Sequence, residues 1–269
     1  TNLETFQALF HKFLVKICRE QNFSVGKNMN TKEITWDKGR LFVTPDLHGC
    51  YDKLMEKLDE VDFDYDCDLL IGLGDLVDRG KKSLDCFNLT YKSWFESVRG
   101  NHEDFCLQYV LATDKNQKDH IKSTHLSNGG AWFYKLPETV QKEIAKKIES
   151  LPVTITVNRN GKRYGFVHGD IPAFVKDWDD LNEFLNFENS DSTVNQCIWG
   201  RSMAKRALKA SQSFEGPPPP PIIGKVDHVY LGHTVIQRPI TYGNMTFLDT
   251  GAVFDNVSTF GRLSMMEIV

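Results

Sequence analysis

The feature that most constrains this chain is a recurring junction, in which an apolar run stops at an aspartate, asparagine or histidine next to glycine. The run Leu41–Thr44 leads into Pro45-Asp46-Leu47-His48-Gly49, and the run 68–73 into Gly74-Asp75-Leu76-Val77-Asp78-Arg79-Gly80. A third run, 96–99, leads into Gly100-Asn101-His102-Glu103. Two later runs end at Val167, before His168-Gly169-Asp170, and at Leu231, before Gly232-His233-Thr234. In an open α/β sheet the carboxyl ends of the strands line the ligand crevice. Glycine beside a polar residue lets the backbone turn sharply and approach a bound group closely. A single Gly-Asp or Asn-His carries little weight, because turns and helix caps produce such pairs freely. Five of them at the ends of strand-like runs point to one site assembled from several strand ends.

The segments between these junctions fit that arrangement. Tyr51–Glu60 (YDKLMEKLDE), 82–92 and 103–112 have helical periodicity and alternate with the first three apolar runs. This β-α-β-α-β order predicts parallel strands with crossover helices. Residues 138–150 predict one more amphipathic helix. In the second half, runs at 153–158, 162–167, 227–231, 245–249 and 260–268 are strand-like with short connections and predict a second sheet, mixed or antiparallel. The stretch 177–221 reads as polar and irregular. It ends in five prolines at 217–221, a stiffened surface loop with polyproline II geometry. At the start, Leu3, Phe6, Leu9, Phe10, Phe13, Leu14 and Ile17 recur at helical spacing, predicting an amphipathic packing helix followed by a polar connector over 21–38. The expected organisation is an N-terminal helical extension, 1–39, and one catalytic domain, 40–269.

Composition removes several classes of function. The 269 residues are 41% hydrophobic and 25% charged, which sets disordered and fibrous chains aside. A net charge of −4 without a basic block predicts neither nucleic acid nor an anionic membrane as partner. There is no apolar run long enough to span a bilayer, and the first segment does not read as a secretory leader. The cysteines Cys18, Cys50, Cys67, Cys86, Cys106 and Cys197 form no C-x-x-C pair and read as reduced thiols of a cytoplasmic protein. None is followed by arginine six residues later, so thiolate-based phosphate chemistry has no support. Gly72-Leu73-Gly74 lacks the rest of a dinucleotide loop, and no Walker loop occurs.

The junctions offer carboxylate, amide oxygen and imidazole, without thiolate. That donor set suits Mn²⁺, Fe or Zn²⁺. It is larger than one ion needs and fits two divalent ions roughly 3.5–4 Å apart that share a carboxylate.

Asp46-x-His48-Gly49, Gly74-Asp75-x-x-Asp78-Arg79-Gly80 and Gly100-Asn101-His102-Glu103 resemble the three signature blocks of the phosphoprotein phosphatase family of calcineurin-like metallophosphoesterases. The segments LHGCYDKLMEKLD, DLLIGLGDLVDRG, WFESVRGNHE and DTGAVF are similar to its compact bacterial and bacteriophage branch, and the likeness spans roughly 40–257. The resemblance implies an α/β fold in which two mixed β-sheets pack as a sandwich flanked by helices. It implies that Asp46 and His48 hold a first metal, that Asp75 bridges two, and that Asn101, His168 and His233 complete the second. Arg79 and Arg201, with Asn101 beside them, would bind phosphate oxygens. A metal-bridging hydroxide would attack phosphorus in line, His102 would protonate the leaving alkoxide, and Asp78 would orient His102.

The expected substrate is a phosphoprotein or phosphopeptide carrying phosphoserine or phosphothreonine, with phosphotyrosine a further option. The alternatives are a symmetrical dinucleoside polyphosphate hydrolase, a nucleotide phosphodiesterase, or a binding protein that has lost turnover. Asp78 after Leu76-Val77 favours the protein phosphatase branch. The expected setting is the cytoplasm, the host's if the chain is phage-encoded. One departure stands out: Pro45 replaces the glycine that normally opens the first block. Proline fixes φ and removes a donor, so a backbone needing positive φ at that place would displace Asp46, whereas ordinary extended chain would not.

Overall fold

Strands buried on both faces set the architecture, because each apolar run has to be covered twice. The computed structural model describes residues 30–187, 190–212, 219–255 and 259–269. Within them β2 (Leu41–Thr44), β3 (Leu69–Gly72) and β4 (Phe95–Ser97) run parallel, and β10 (Met266–Ile268) adds antiparallel to β2. A six-stranded sheet has the order β1-β5-β6-β7-β9-β8. Its members are β1 (Thr31–Thr35), β5 (Thr154–Arg159), β6 (Lys162–Val167), β7 (His228–Leu231), β8 (Ile240–Tyr242) and β9 (Met245–Phe247). Parallel pairs (β1–β5, β6–β7, β7–β9) alternate with antiparallel ones (β5–β6, β8–β9), so both sheets are mixed.

Successive side chains on a strand point to opposite faces, and the cores follow that rule. Leu41, Val43, Leu69 and Ile71 meet Ile155, Val157, Phe166 and Tyr230 in the layer between the sheets. Phe42, Leu70 and Phe95 face outward, onto α1 (Tyr51–Glu60), α2 (Ser83–Asn88), α3 (Asn101–Leu111) and α5 (Glu138–Glu149), which contribute Leu54, Leu58, Phe87, Cys106, Ile144 and Ile148. A helix α4 (Lys115–Ser127) precedes α5. The other sheet turns Val229, Leu231, Met245 and Phe247 toward α6 (Trp178–Leu185), α7 (Asp191–Trp199) and α8 (Ser202–Gln212). The result is a sandwich of sheets with helices on each outer face, as the resemblance implied.

Four local expectations are corrected. The stretch 177–221 is not irregular: it holds α6, α7 and α8, whose short apolar stripes (Trp178, Leu181 and Leu185; Cys197 and Ile198; Met203, Ala204 and Ala207) pack on the sheet. Such stripes are too brief to stand out from their polar neighbours, and tertiary burial stabilises them. The polar connector 21–38 contains edge strand β1, whose half-exposed alternation hides its role. The run 260–268 narrows to β10, and β8 and α4 were not expected. The N-terminal helix and Cys18 lie outside the described residues. So do prolines 217 and 218, while 219–221 follow outside any helix or strand. Pro45 is not among the positive-φ residues, which begin at His48, so the backbone there accepts proline. Among the described residues no helix is long and apolar enough to cross a membrane.

One charged contact fixes the starts of β2 and β3. The buried Asp68 carboxylate accepts from Arg40 N at 2.7 Å, Arg40 Nε at 3.0 Å, Arg40 Nη2 at 2.7 Å and Asp64 N at 3.0 Å. Desolvation works against the charge, but the Arg40 and Asp64 hydrogen bonds hold the Asp68 carboxyl below its ordinary value. A depressed folded value stabilises the fold above the unfolded value of about 3.9 and is lost as pH falls through the folded one. Asp68→Asn should therefore lower stability by about 1–2 kcal/mol at neutral pH, with half-exposed Arg40 limiting the effect. Denaturant titrations should show a shallower loss of stability below pH about 4 in the variant than in the parent.

Candidate metal centre and active site

The carboxyl ends of β2, β3, β4, β6 and β7 deliver their polar residues to one buried place. Asp75, just beyond β3, is at its centre. Its backbone oxygen accepts from Leu47 N at 3.1 Å and His48 N at 2.8 Å, tying the loop after β2 to it. Its Oδ1 accepts from His102 N at 2.9 Å, at the start of α3. His48 Nε2 lies 3.6 Å from Asp75 Oδ2, and His168 Nε2 lies 3.4 Å from Asp75 Oδ1.

Two groups of donor atoms meet on this carboxylate among the described residues: His48, Asp75 and His102, and Asp75, His168 and His233, all buried. Asn101 Oδ1 joins the second at 3.0 Å from His168 Nε2, and His233 Nδ1 stands 3.1 Å from the same nitrogen. Three of these imidazoles commit their other nitrogen to a backbone carbonyl. His48 Nδ1 donates to Val77 O at 2.8 Å, His168 Nδ1 to Leu73 O at 2.6 Å, and His233 Nε2 to Trp199 O at 3.2 Å. That arrangement turns the remaining nitrogen of each ring inward, which is how metal-ligating histidines are usually oriented. The donor set therefore fits divalent ions on either side of Asp75.

Electrostatics follows from burial. Desolvation lowers His48 to about 3 and, with the charge of His168, lowers His233 to about 2, so both imidazoles are neutral. Desolvation also works against His168, but Asp75 and Asp46 raise it to about 10. Asp75 stays far below its ordinary value because His168, His102 and His48 outweigh its desolvation. Asp46 is pushed up by desolvation and by Asp249, and its Oδ1 accepts from His233 N at 2.9 Å. Asp46 thus stands beside His233 and outside both donor groups. Gly232 is required next to it, since a Cβ there would overlap Asp46 Oδ1.

The predicted acid pair is in contact. His102 Nδ1 lies 2.6 Å from Asp78 Oδ2. Arg79 Nη2 donates to His102 Nε2 at 3.0 Å and Arg79 Nη1 donates to His48 Nε2. Exposed Arg201 reaches the rim, with Nη1 donating to His233 O at 2.8 Å. Its position depends on Asp170, whose carboxylate accepts from Ser202 N at 2.6 Å at the start of α8. Asp170 is a helix cap here and lies outside both donor groups.

His48, Asp75, Asp78, Arg79 and His233 all have positive φ, between 42° and 73°. Non-glycine residues held there store of order 1–3 kcal/mol each and gather at functional sites.

Several contributors were given no role from the sequence. His125 of α4 and Trp132 both bond Asp78, although neither follows a strand. Asp249 opens the DTGAVF segment and is a further buried carboxyl, pushed up to about 6 chiefly by desolvation. Glu103 is a fastening: its carboxyl accepts from Asp75 N at 2.8 Å, Leu76 N at 2.8 Å, Val77 N at 3.3 Å and Gly100 N at 2.9 Å. Desolvation and the charge of Asp75 raise it to about 7. In Glu103→Gln an amide NH₂ would replace one acceptor oxygen and face those donors. The variant should lose about 2–3 kcal/mol of stability in denaturant titration.

The family model for calcineurin-like phosphoesterases matches residues 39–237. The chain is 32% identical over 226 residues to serine/threonine-protein phosphatase 1 of Salmonella typhimurium, covering 83% of this chain and 91% of that protein. It is 29% identical over 232 residues to serine/threonine-protein phosphatase 2 of Escherichia coli, covering 85% and 92%. A shorter match, 41% over 86 residues and 30% of each chain, is to a symmetrical bis(5'-nucleosyl)-tetraphosphatase of Klebsiella pneumoniae. Among solved structures, a protein serine/threonine phosphatase from Saccharomyces cerevisiae superposes with a TM-score of 0.56 at 16% identity. That alignment covers 100% of this chain and 83% of the other, a likeness of fold. The chain belongs to the calcineurin-like phosphoesterase family.

Proposed function

We propose that this protein is a metal-dependent phosphoprotein phosphatase that hydrolyses phosphoserine and phosphothreonine monoesters. The observation that carries the reading is the set His102–Asp78–Arg79 at the edge of the two donor groups that share Asp75. The long matches to serine/threonine-protein phosphatases support the substrate class. As the resemblance implies, Asp46, from its place beside His233, would join His48 and Asp75 on one ion, and Asp75, Asn101, His168 and His233 would hold the other. Mn²⁺ is the first choice, with Fe or Zn²⁺ suited to the same oxygen and imidazole donors. When bound, two such ions neutralise the phosphoester dianion and make water nucleophilic at neutral pH.

The residues account for the remaining work. Arg79 and Arg201 present guanidinium forks that match phosphate oxygens, and the Asn101 amide would add a further donor. Once Arg79 releases His102 Nε2 and that nitrogen takes a proton, His102 delivers it to the leaving alkoxide while Nδ1 donates to Asp78 and keeps the ring aimed. Arg79 contacts both His102 and His48, so a phosphate drawing it outward would free His102 Nε2 for the leaving oxygen. Free thiols at Cys50, Cys67, Cys86, Cys106 and Cys197 support a cytoplasmic setting.

Metal-stripped protein should release phosphate from a phosphoserine peptide and an aryl phosphate only after Mn²⁺ is returned, leaving diadenosine tetraphosphate intact. Cleavage of the dinucleotide alone would place the activity with the tetraphosphatases that share the shorter match. Silence on every substrate would favour a binding role. His102→Ala should lower kcat on the peptide by about 10²-fold or more. Asp75→Asn, which weakens the anion shared by both donor groups, should show reduced bound metal by elemental analysis.

A further inference from the structure

Asp78 has more partners than a dyad requires. Its carboxylate is fully buried. Oδ2 bonds His102 Nδ1 at 2.6 Å and also His125 Nε2 at 2.9 Å, while Oδ1 accepts from Trp132 Nε1 at 2.6 Å. Its backbone N donates to Ser83 Oγ at 3.0 Å. Against desolvation, the hydrogen bonds from His102 and His125 keep this carboxyl below its ordinary value. A carboxylate only accepts, so His125 Nε2 carries a proton. Its Nδ1 lies 3.0 Å from the Tyr134 hydroxyl, which satisfies the second nitrogen.

The surroundings hold His125 to this orientation. Its ring stacks on Phe105 at 5.2 Å with 20° between planes, and Phe105 in turn meets the His102 ring edge-on at 5.8 Å. At Gly130 a Cβ would overlap both Cδ2 and Nε2 of the His125 ring, so glycine there is what lets the imidazole lie against Asp78. Donors on both oxygens prevent the carboxylate from rotating. Without His125, Oδ2 would have His102 as its one remaining side-chain partner, and the orientation of His102 would loosen with it.

We propose that His125 is a positioning residue for leaving-group protonation, locking the Asp78 carboxylate so that His102 stays aimed at the departing oxygen. The proposal rests on the phosphatase reading above. It names a role for a residue that touches neither substrate nor metal donors. Proton delivery matters most when the leaving oxygen is basic, as in phosphoserine or phenyl phosphate, and least for p-nitrophenolate. The signature is therefore a difference between leaving groups, which a merely structural residue would not produce.

The test compares the parent with His125→Leu, His125→Gln and Gly130→Ala, each loaded with Mn²⁺, on a phosphoserine peptide, phenyl phosphate and p-nitrophenyl phosphate. His125→Leu should lose about tenfold in kcat on the peptide and phenyl phosphate and about twofold on p-nitrophenyl phosphate, with KM little changed. His125→Gln, which keeps an N–H toward Asp78, should recover much of the loss. Gly130→Ala, which displaces the ring without removing it, should reproduce the split. Circular dichroism and thermal melts identify the variants that remain folded, and the comparison is made within those. An equal loss on all three esters, or none, overturns the proposal while leaving the phosphatase reading intact. A parent inactive on every ester overturns that reading and this proposal with it.

Discussion

The site depends on one desolvated carboxylate being kept ionised. Asp75 is buried where an isolated charge would be very costly, and its neighbours compensate on every side. Its backbone oxygen receives the amides of Leu47 and His48, its own amide goes to Glu103, and Oδ1 receives His102 N. The imidazoles of His48, His102 and His168 hold its charge in place. These bonds also join the loops after β2, β3 and β4. The anion that organises the chemistry is thus also what aligns three strand ends.

The same crowding explains the strained backbone. Positive φ at His48, Asp75, Asp78, Arg79 and His233 turns their side chains inward over a short span of loop. The hydrogen bonds of Glu103 to three successive amides offset part of that strain. A half-satisfied polar network would be worse than an apolar core, and here the buried acceptors are nearly all used. The outer shell extends this logic: Asp170 starts α8 and so places Arg201, while His125 and Trp132 restrain Asp78.

Most of the strands, and the four helices α1, α2, α3 and α5 that flank the first sheet, were legible because they follow simple rules. Leu41–Thr44 and Tyr51–Glu60 occur as their patterns predict, since a doubly buried strand must be apolar throughout and a packed helix needs a stripe. The second flank was not legible. In α6, α7 and α8 a few apolar residues are spread among polar ones, and only the face of the six-stranded sheet selects helix for them. Strand β1 is similar, because an edge strand with half-exposed residues gains its conformation by pairing with β5.

The sequence by itself determined which polar residues stand at the strand ends. Asp, Asn and His next to glycine at strand ends can be read locally, because the turn and the donor are covalent neighbours. It left open whether Pro45 is tolerable, and the backbone decided that, because left-handed geometry begins at His48 and not earlier. What only the tertiary structure decided is how these donors divide around Asp75, and which distant groups hold them. His125, Trp132, Glu103 and Asp249 act through contacts across the fold, and such contacts have no spacing in the chain that could announce them.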